Sequence, residues 1–139
     1  MANPIDHARS SAKKFGGTFD EYLAIHEFMD STKSGHSDNR HRMFTHNSWF
    51  ISTEGPLVKV FGREFINSAG RRVLVHEVGQ QHCLEDFGGY IPTMQDWAMA
   101  VGFEEWMGGT TPPPSGRGLK RQSIHSHITA RENKTVWKG

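Results

Sequence analysis

Nine histidines in 139 residues are the first chemical feature of this chain, because imidazole both ligates metals and moves protons near neutral pH. Three of them have carboxylates at helical spacing: His26 precedes Asp30, His41 follows Asp38, and His82 precedes Glu85 and Asp86. On a helix, offsets of three and four residues place two side chains on one face about a turn apart. His26 and Asp30 stand out because they fall within the apolar stripe of Phe19, Tyr22, Leu23, Ile25 and Met29, with Asp20, Glu27 and Ser31 opposite. A carboxylate buried without a partner costs several kcal/mol or loses its charge, so this pair calls for a cation, a metal or a hydrogen-bond network. The plainer reading is that Asp30 holds His26 in a satisfied core network.

Two further segments repeat the pattern. Over 38–51, Met43, Phe44, Phe50 and Ile51 share one side of a helix, while Asp38, His41, Arg42, Thr45 and His46 share the other. Asp38 then sits between two imidazoles, a combination of hard and borderline metal ligands, although a polar solvent face gives the same pattern. Arg40 and Arg42 add guanidinium forks that match phosphate oxygens. In the third helix, Cys83, Leu84 and Phe87 face the core, with His82, Glu85 and Asp86 opposite.

The chemistry these residues suggest is metal-assisted hydrolysis of a phosphoester. The candidate ligands are His26, Asp30, Asp38, His41, His46 and His82, around a divalent zinc, iron or manganese ion. Glu85 or Asp86 is the candidate general base, and Arg40 and Arg42 are the candidate contacts to a small phosphorylated ligand or nucleic acid. No adjacent His-Asp pair, no His-Glu-x-x-His and no Walker loop accompanies them. Cys83 reads as core rather than as a nucleophile. The competing reading is a non-enzymatic interaction module, an inhibitor or nucleic-acid accessory, whose histidines hold helices together or bind a structural zinc.

The elements that must position these residues form an α+β, mostly helical domain with one small hairpin. A short helix is expected over Pro4–Lys14, ending at Gly16-Gly17. Thr18 with Glu21 forms a capping box, starting a helix near Phe19 that runs to about Lys33. A second helix starts at Ser37 or Asp38 and runs to the break at Gly55-Pro56. After one apolar turn over 57–61, strands near 64–66 and 72–75 flank a turn closed by Gly70. Helices over Val78–Phe87 and from Thr93, boxed by Asp96, to Val101 complete the body. His7 is expected to be exposed rather than to join the cluster, His36 to lie in a connection, and His76 to end the second strand.

Net charge is only +1, but it is unevenly spread: residues 1–107 hold ten Lys/Arg and fourteen Asp/Glu, whereas 108–139 hold six basic residues and Glu132. With its Gly-Gly-Thr-Thr-Pro-Pro-Pro-Ser-Gly opening, 108–139 reads as a Pro/Gly linker and a mobile basic tail carrying His125, His127 and Trp137. In that tail Lys120, Arg121, Arg131, Lys134 and Lys138 are suited to phosphate backbone. One cysteine excludes an internal disulfide and a Cys-based zinc finger. No apolar run is long enough to span a membrane and no leader is evident, so no membrane partner and a cytoplasmic, reducing location are expected.

The strings His7-Ala8-Arg9-Ser10-Ser11-Ala12-Lys13-Lys14-Phe15-Gly16-Gly17, Asp38-Asn39-Arg40-His41-Arg42 with His46, and Gly79-Gln80-Gln81-His82 with Glu85-Asp86 and Ile91-Pro92-Thr93 resemble a small family of uncharacterised bacterial and phage proteins. The similarity covers about residues 7–107. It implies a compact domain from a bacterial cell or phage-infected host, without a reaction, and places His7, His26, His41, His46 and His82 in family-like strings. Where that pattern reads Gly-Glu-Gln-His, this chain has Gln80.

Overall fold

The computed structural model of the protein describes residues 2–119; the basic tail residues from Lys120 onward, Trp137 included, lie outside that range. The body is α+β and mostly helical, with one hairpin. Helix α1 (Pro4–Phe15) begins at Asn3, whose side chain accepts from the Asp6 amide while Asp6 reaches back to the Asn3 amide. Gly16 ends it at a φ of +92°. Helix α2 (Asp20–Met29) follows, shorter than the spacing predicts because the chain tightens at Asp30 into a 3-10 turn, Ser31–Ser34. Only half of the expected box forms at its start. Glu21 accepts from the Thr18 amide and hydroxyl and also from the Ser68 amide and hydroxyl, so it fastens the hairpin turn as well.

The segment after Asp38 departs most from expectation. It forms a 3-10 helix, Asn39–Phe44, and then successive turns up to Gly55, not a continuous α-helix. Polar side chains here compete for backbone groups. Asn47 donates to the Met43 carbonyl and accepts from the Phe50 amide, and the Thr45 hydroxyl donates to the Met29 carbonyl. The polar face read over 38–46 therefore does not exist as one face.

Helix α3 (Pro56–Phe61) leads into strands β1 (Glu64–Ile66) and β2 (Arg72–Leu74), antiparallel with Phe65 opposite Val73. Asn67 organises their turn. Its Oδ1 accepts from the Ala69 and Arg71 amides, and its Nδ2 donates to the Phe15 carbonyl and the Tyr22 hydroxyl, tying the hairpin to α1 and α2. Strand β2 passes directly into α4 (Val75–Asp86), three residues ahead of its expected start. Helix α5 (Met94–Val101) carries the expected Thr93–Asp96 box.

Tyr22, Ile25 and Met29 of α2 are buried with Leu57 and Val58 of α3, Val73 of β2, and Val75, Val78 and Cys83 of α4. Helix α2 thus packs on α1, α3 and α4. Burying such side chains contributes roughly 1.5–3 kcal/mol each. Gly79 lets α4 approach its neighbours closely, since a Cβ there would lie 2.7 Å from Leu57 Cδ2 and 2.9 Å from Ile51 Cγ2. Residues 2–102 form one compact unit; a second begins at Phe103 and includes a 3-10 turn, Glu105–Gly108. No helix among the described residues is long and apolar enough to cross a membrane.

Candidate metal centre

Four donor atoms converge where the end of α2, the chain after the 39–44 turn, and α4 meet. Asp30 caps α2, His46 follows Thr45, and His82 and Asp86 lie one turn apart on α4. His46 Nε2 is 3.0 Å from Asp86 Oδ2 and 3.5 Å from Asp30 Oδ1. His82 Nε2 is 3.3 Å from each of the same two oxygens. The four atoms all lie within 4.8 Å of one another. Both imidazoles are fully buried, and the Asp86 and Asp30 side chains are 2% and 13% exposed.

Burial pushes both carboxyls up, but the imidazoles beside them outweigh it: His46 and His82 around Asp30, and His46, His7 and His82 around Asp86. Both acids are held well below the usual carboxylate range.

A shell of polar side chains surrounds this quartet. His7 on α1 is fully buried, contrary to the exposure expected for it, with Nδ1 2.8 Å from Glu85 Oε1 and Nε2 3.1 Å from Asp86 Oδ1. Burial lowers its pKa, yet the bonds to Asp86 and Glu85 more than offset that and raise it. His7 so engages one oxygen of Asp86 and leaves the other for the quartet. His26 lies behind His82, Nδ1 to Nδ1 at 2.8 Å, and its Nε2 meets the Ser11 hydroxyl at 2.8 Å. Burial, reinforced by neighbouring His82 and His7, brings its pKa down to about 3. The rings of His7, His26 and His82 stack. They offer a second close grouping of nitrogens, although each nitrogen that faces a neighbour is at hydrogen-bonding distance from it.

Asp30, His46, His82 and Asp86 are thus the predicted residues brought together, with His26 in contact from behind. Asp38 is not among them: it is half exposed, accepts from the Arg40 amide and guanidinium, and sits 3.1 Å from His36 Nε2. His41 is buried elsewhere, its Nδ1 2.9 Å from the Thr32 hydroxyl. The 3-10 geometry of 39–44 accounts for both, since it breaks the α-helical alignment of positions 38, 41 and 46. Glu85 is engaged by His7, Ser10 and Gln81. Arg40 is largely exposed against Asp38, whereas Arg42 is mostly buried, 3.9 Å from Asp86 Oδ2 and over the Phe87 ring.

Sequence reasoning set His7 at the surface and missed Ser11, Gln81 and Thr45. For His7 and Ser11 there was a signal: His7, Ala8, Ser11 and Phe15 recur at helical spacing and form the buried face of α1. A cleft of about 260 Å³ lined by Asp30, Lys33, Asn39, His41 and Arg42 reaches the quartet's edge.

No curated protein and no solved structure matches the chain. A family model described as a domain of unknown function, DUF6915, matches residues 2–107, the whole of the body that carries these side chains, and the chain belongs to that family.

Proposed function

We propose that this domain binds one divalent transition metal through Asp30, His46, His82 and Asp86 and uses it to hydrolyse a phosphoester. The observation that carries the reading is the set of four N···O separations, 3.0, 3.3, 3.3 and 3.5 Å, among four donor atoms that all lie within 4.8 Å of one another. A tetrahedron with metal–ligand bonds of about 2.0–2.1 Å has edges of about 3.3–3.4 Å. Two neutral imidazoles and two carboxylates also balance a divalent charge, and this donor set suits zinc, iron or manganese.

The cleft supports the substrate class. Lys33 and Arg42 line it beside Asp30, which is the more exposed acid of the quartet, so an anionic group entering there meets cations next to the metal position. A divalent ion at the quartet supplies Lewis acidity toward a phosphoryl oxygen or an attacking water. In this reading Asp86 is a ligand rather than the base, Glu85 orients His7, and Arg42 faces the substrate. A structural metal is the second reading, favoured by the four protein donors, because closed sites hold no open position.

Elemental analysis of the purified full chain, joined to assays on phosphomonoester and phosphodiester substrates, tests both readings. One equivalent of metal with chelator-sensitive hydrolysis is expected. Metal without hydrolysis selects the structural reading, and absence of metal after reconstitution with zinc, iron and manganese ends both.

A further inference from the structure

Each ligand histidine presents Nε2 to the quartet, and its Nδ1 faces a partner whose own proton is already committed. The Thr45 hydroxyl has one proton and lies 2.6 Å from the Met29 carbonyl, which only accepts. Thr45 Oγ1 must therefore accept from His46 Nδ1, 2.8 Å away. That bond places a proton on Nδ1 and leaves Nε2 to bind the cation.

His82 reaches the same state through a longer chain. The Gln81 amide nitrogen faces the His7 carbonyl and both Glu85 oxygens at 3.0 Å, all acceptors, so Gln81 Oε1 points to Ser11. Ser11 has one proton and two acceptors to receive it, Gln81 Oε1 and the His7 carbonyl. Its oxygen must then accept from His26 Nε2 at 2.8 Å. With its proton on Nε2, His26 offers a bare Nδ1 to His82 Nδ1 at 2.8 Å, and His82 must donate. Nε2 of His82 is again the nitrogen left for the cation.

We infer that Thr45 and the Gln81–Ser11–His26 chain are positioning residues that fix the tautomers of the two ligand histidines, aiming both Nε2 atoms at the metal. This inference rests on the metal reading above. It accounts for a buried serine, threonine and glutamine that contribute nothing to the apolar core, and outer partners of this kind typically change metal affinity by about 10–100-fold.

Two measurements on the full chain test it, with Co²⁺ and Zn²⁺ as the probes. In Co²⁺ titrations, Thr45→Val and Ser11→Ala should weaken binding about 10–100-fold and alter the visible absorption of the bound ion, whereas Thr45→Ser should restore both. Wild-type affinity and spectrum in Thr45→Val would overturn the inference while leaving the metal reading intact. No Co²⁺ uptake by the wild type would overturn the metal reading itself, and this inference with it. The second measurement needs no variant: long-range ¹H–¹⁵N spectra of the Zn²⁺-loaded chain should show protons on Nδ1 of His46 and His82 and on Nε2 of His26. A proton on Nε2 of either ligand sinks the assignment.

Discussion

Asp86 meets more of the network than any other side chain: His7 at 3.1 Å, His46 at 3.0 Å, His82 at 3.3 Å and the Arg42 guanidinium at 3.9 Å. A carboxylate this occupied is difficult to replace even by its own amide, which keeps the shape but turns an N–H₂ either toward the quartet, where it cannot ligate a cation, or toward His7 Nε2. Asp86→Asn should lower metal affinity by more than about 100-fold, beyond what outer-shell partners contribute, as read by competition with a chromogenic chelator. Asp38 is the contrasting case. It has the right residue type and the right distance in sequence from His41, yet it is engaged by Arg40 and His36 at the surface. Asp38→Asn retains an acceptor for the Arg40 amide and should leave metal stoichiometry and affinity unchanged. A drop in affinity for this variant would place the centre nearer the 39–44 turn than the quartet does.

At the scale of elements, what was legible depended on whether side chains left the backbone alone. Helices α1 and α5 were readable because Pro4, Gly16, and Thr93 with Asp96 are local signals that act on the residues beside them. The hairpin was readable from Gly70 and two short β-type runs. The 38–50 segment was not, since its apolar spacing suits a helix, but Thr45 spends its hydroxyl on α2 and Asn47 on both flanking turns. Those are long-range or competing bonds that no periodicity contains. The same limit applied to the candidate site: His26 and Asp30 could be paired from their spacing, but only the packing of α4 against α2 brings His82 and Asp86 across to them. Gly79 sets that packing. Alanine there gains about 0.5–1 kcal/mol in helix preference, yet its Cβ would sit inside contact distance of Leu57 and Ile51, and overpacking costs about 1–3 kcal/mol. Gly79→Ala should therefore be net destabilising in urea unfolding and should weaken metal binding through the displaced His82. A stabilised variant would mean that α3 yields readily.

For the whole molecule, the acidic body and basic tail divide the chemistry unequally. All four quartet residues lie within residues 2–102, so truncation after 107 should preserve metal stoichiometry, and a chain that loses metal on truncation would bring the tail into the site. The larger consequence concerns stability. Asp30 and Asp86 are two mostly buried acids facing the Nε2 atoms of His46 and His82, and a divalent ion that binds the folded but not the unfolded chain stabilises the fold by mass action. At free metal about 100-fold above Kd that contribution is about 2.7 kcal/mol. A domain of this size shifts by roughly 4–8 °C per kcal/mol, so chelation should lower Tm by on the order of 10 °C or more. Scanning calorimetry with and without chelator, followed by return of excess zinc, measures it. The shift should reverse on zinc addition and shrink in Asp86→Asn, because that variant starts without the ion. An unchanged Tm in the wild type would mean that the protons and hydrogen bonds of the histidine network alone neutralise the two acids, and the quartet would then be a structural core rather than a metal centre.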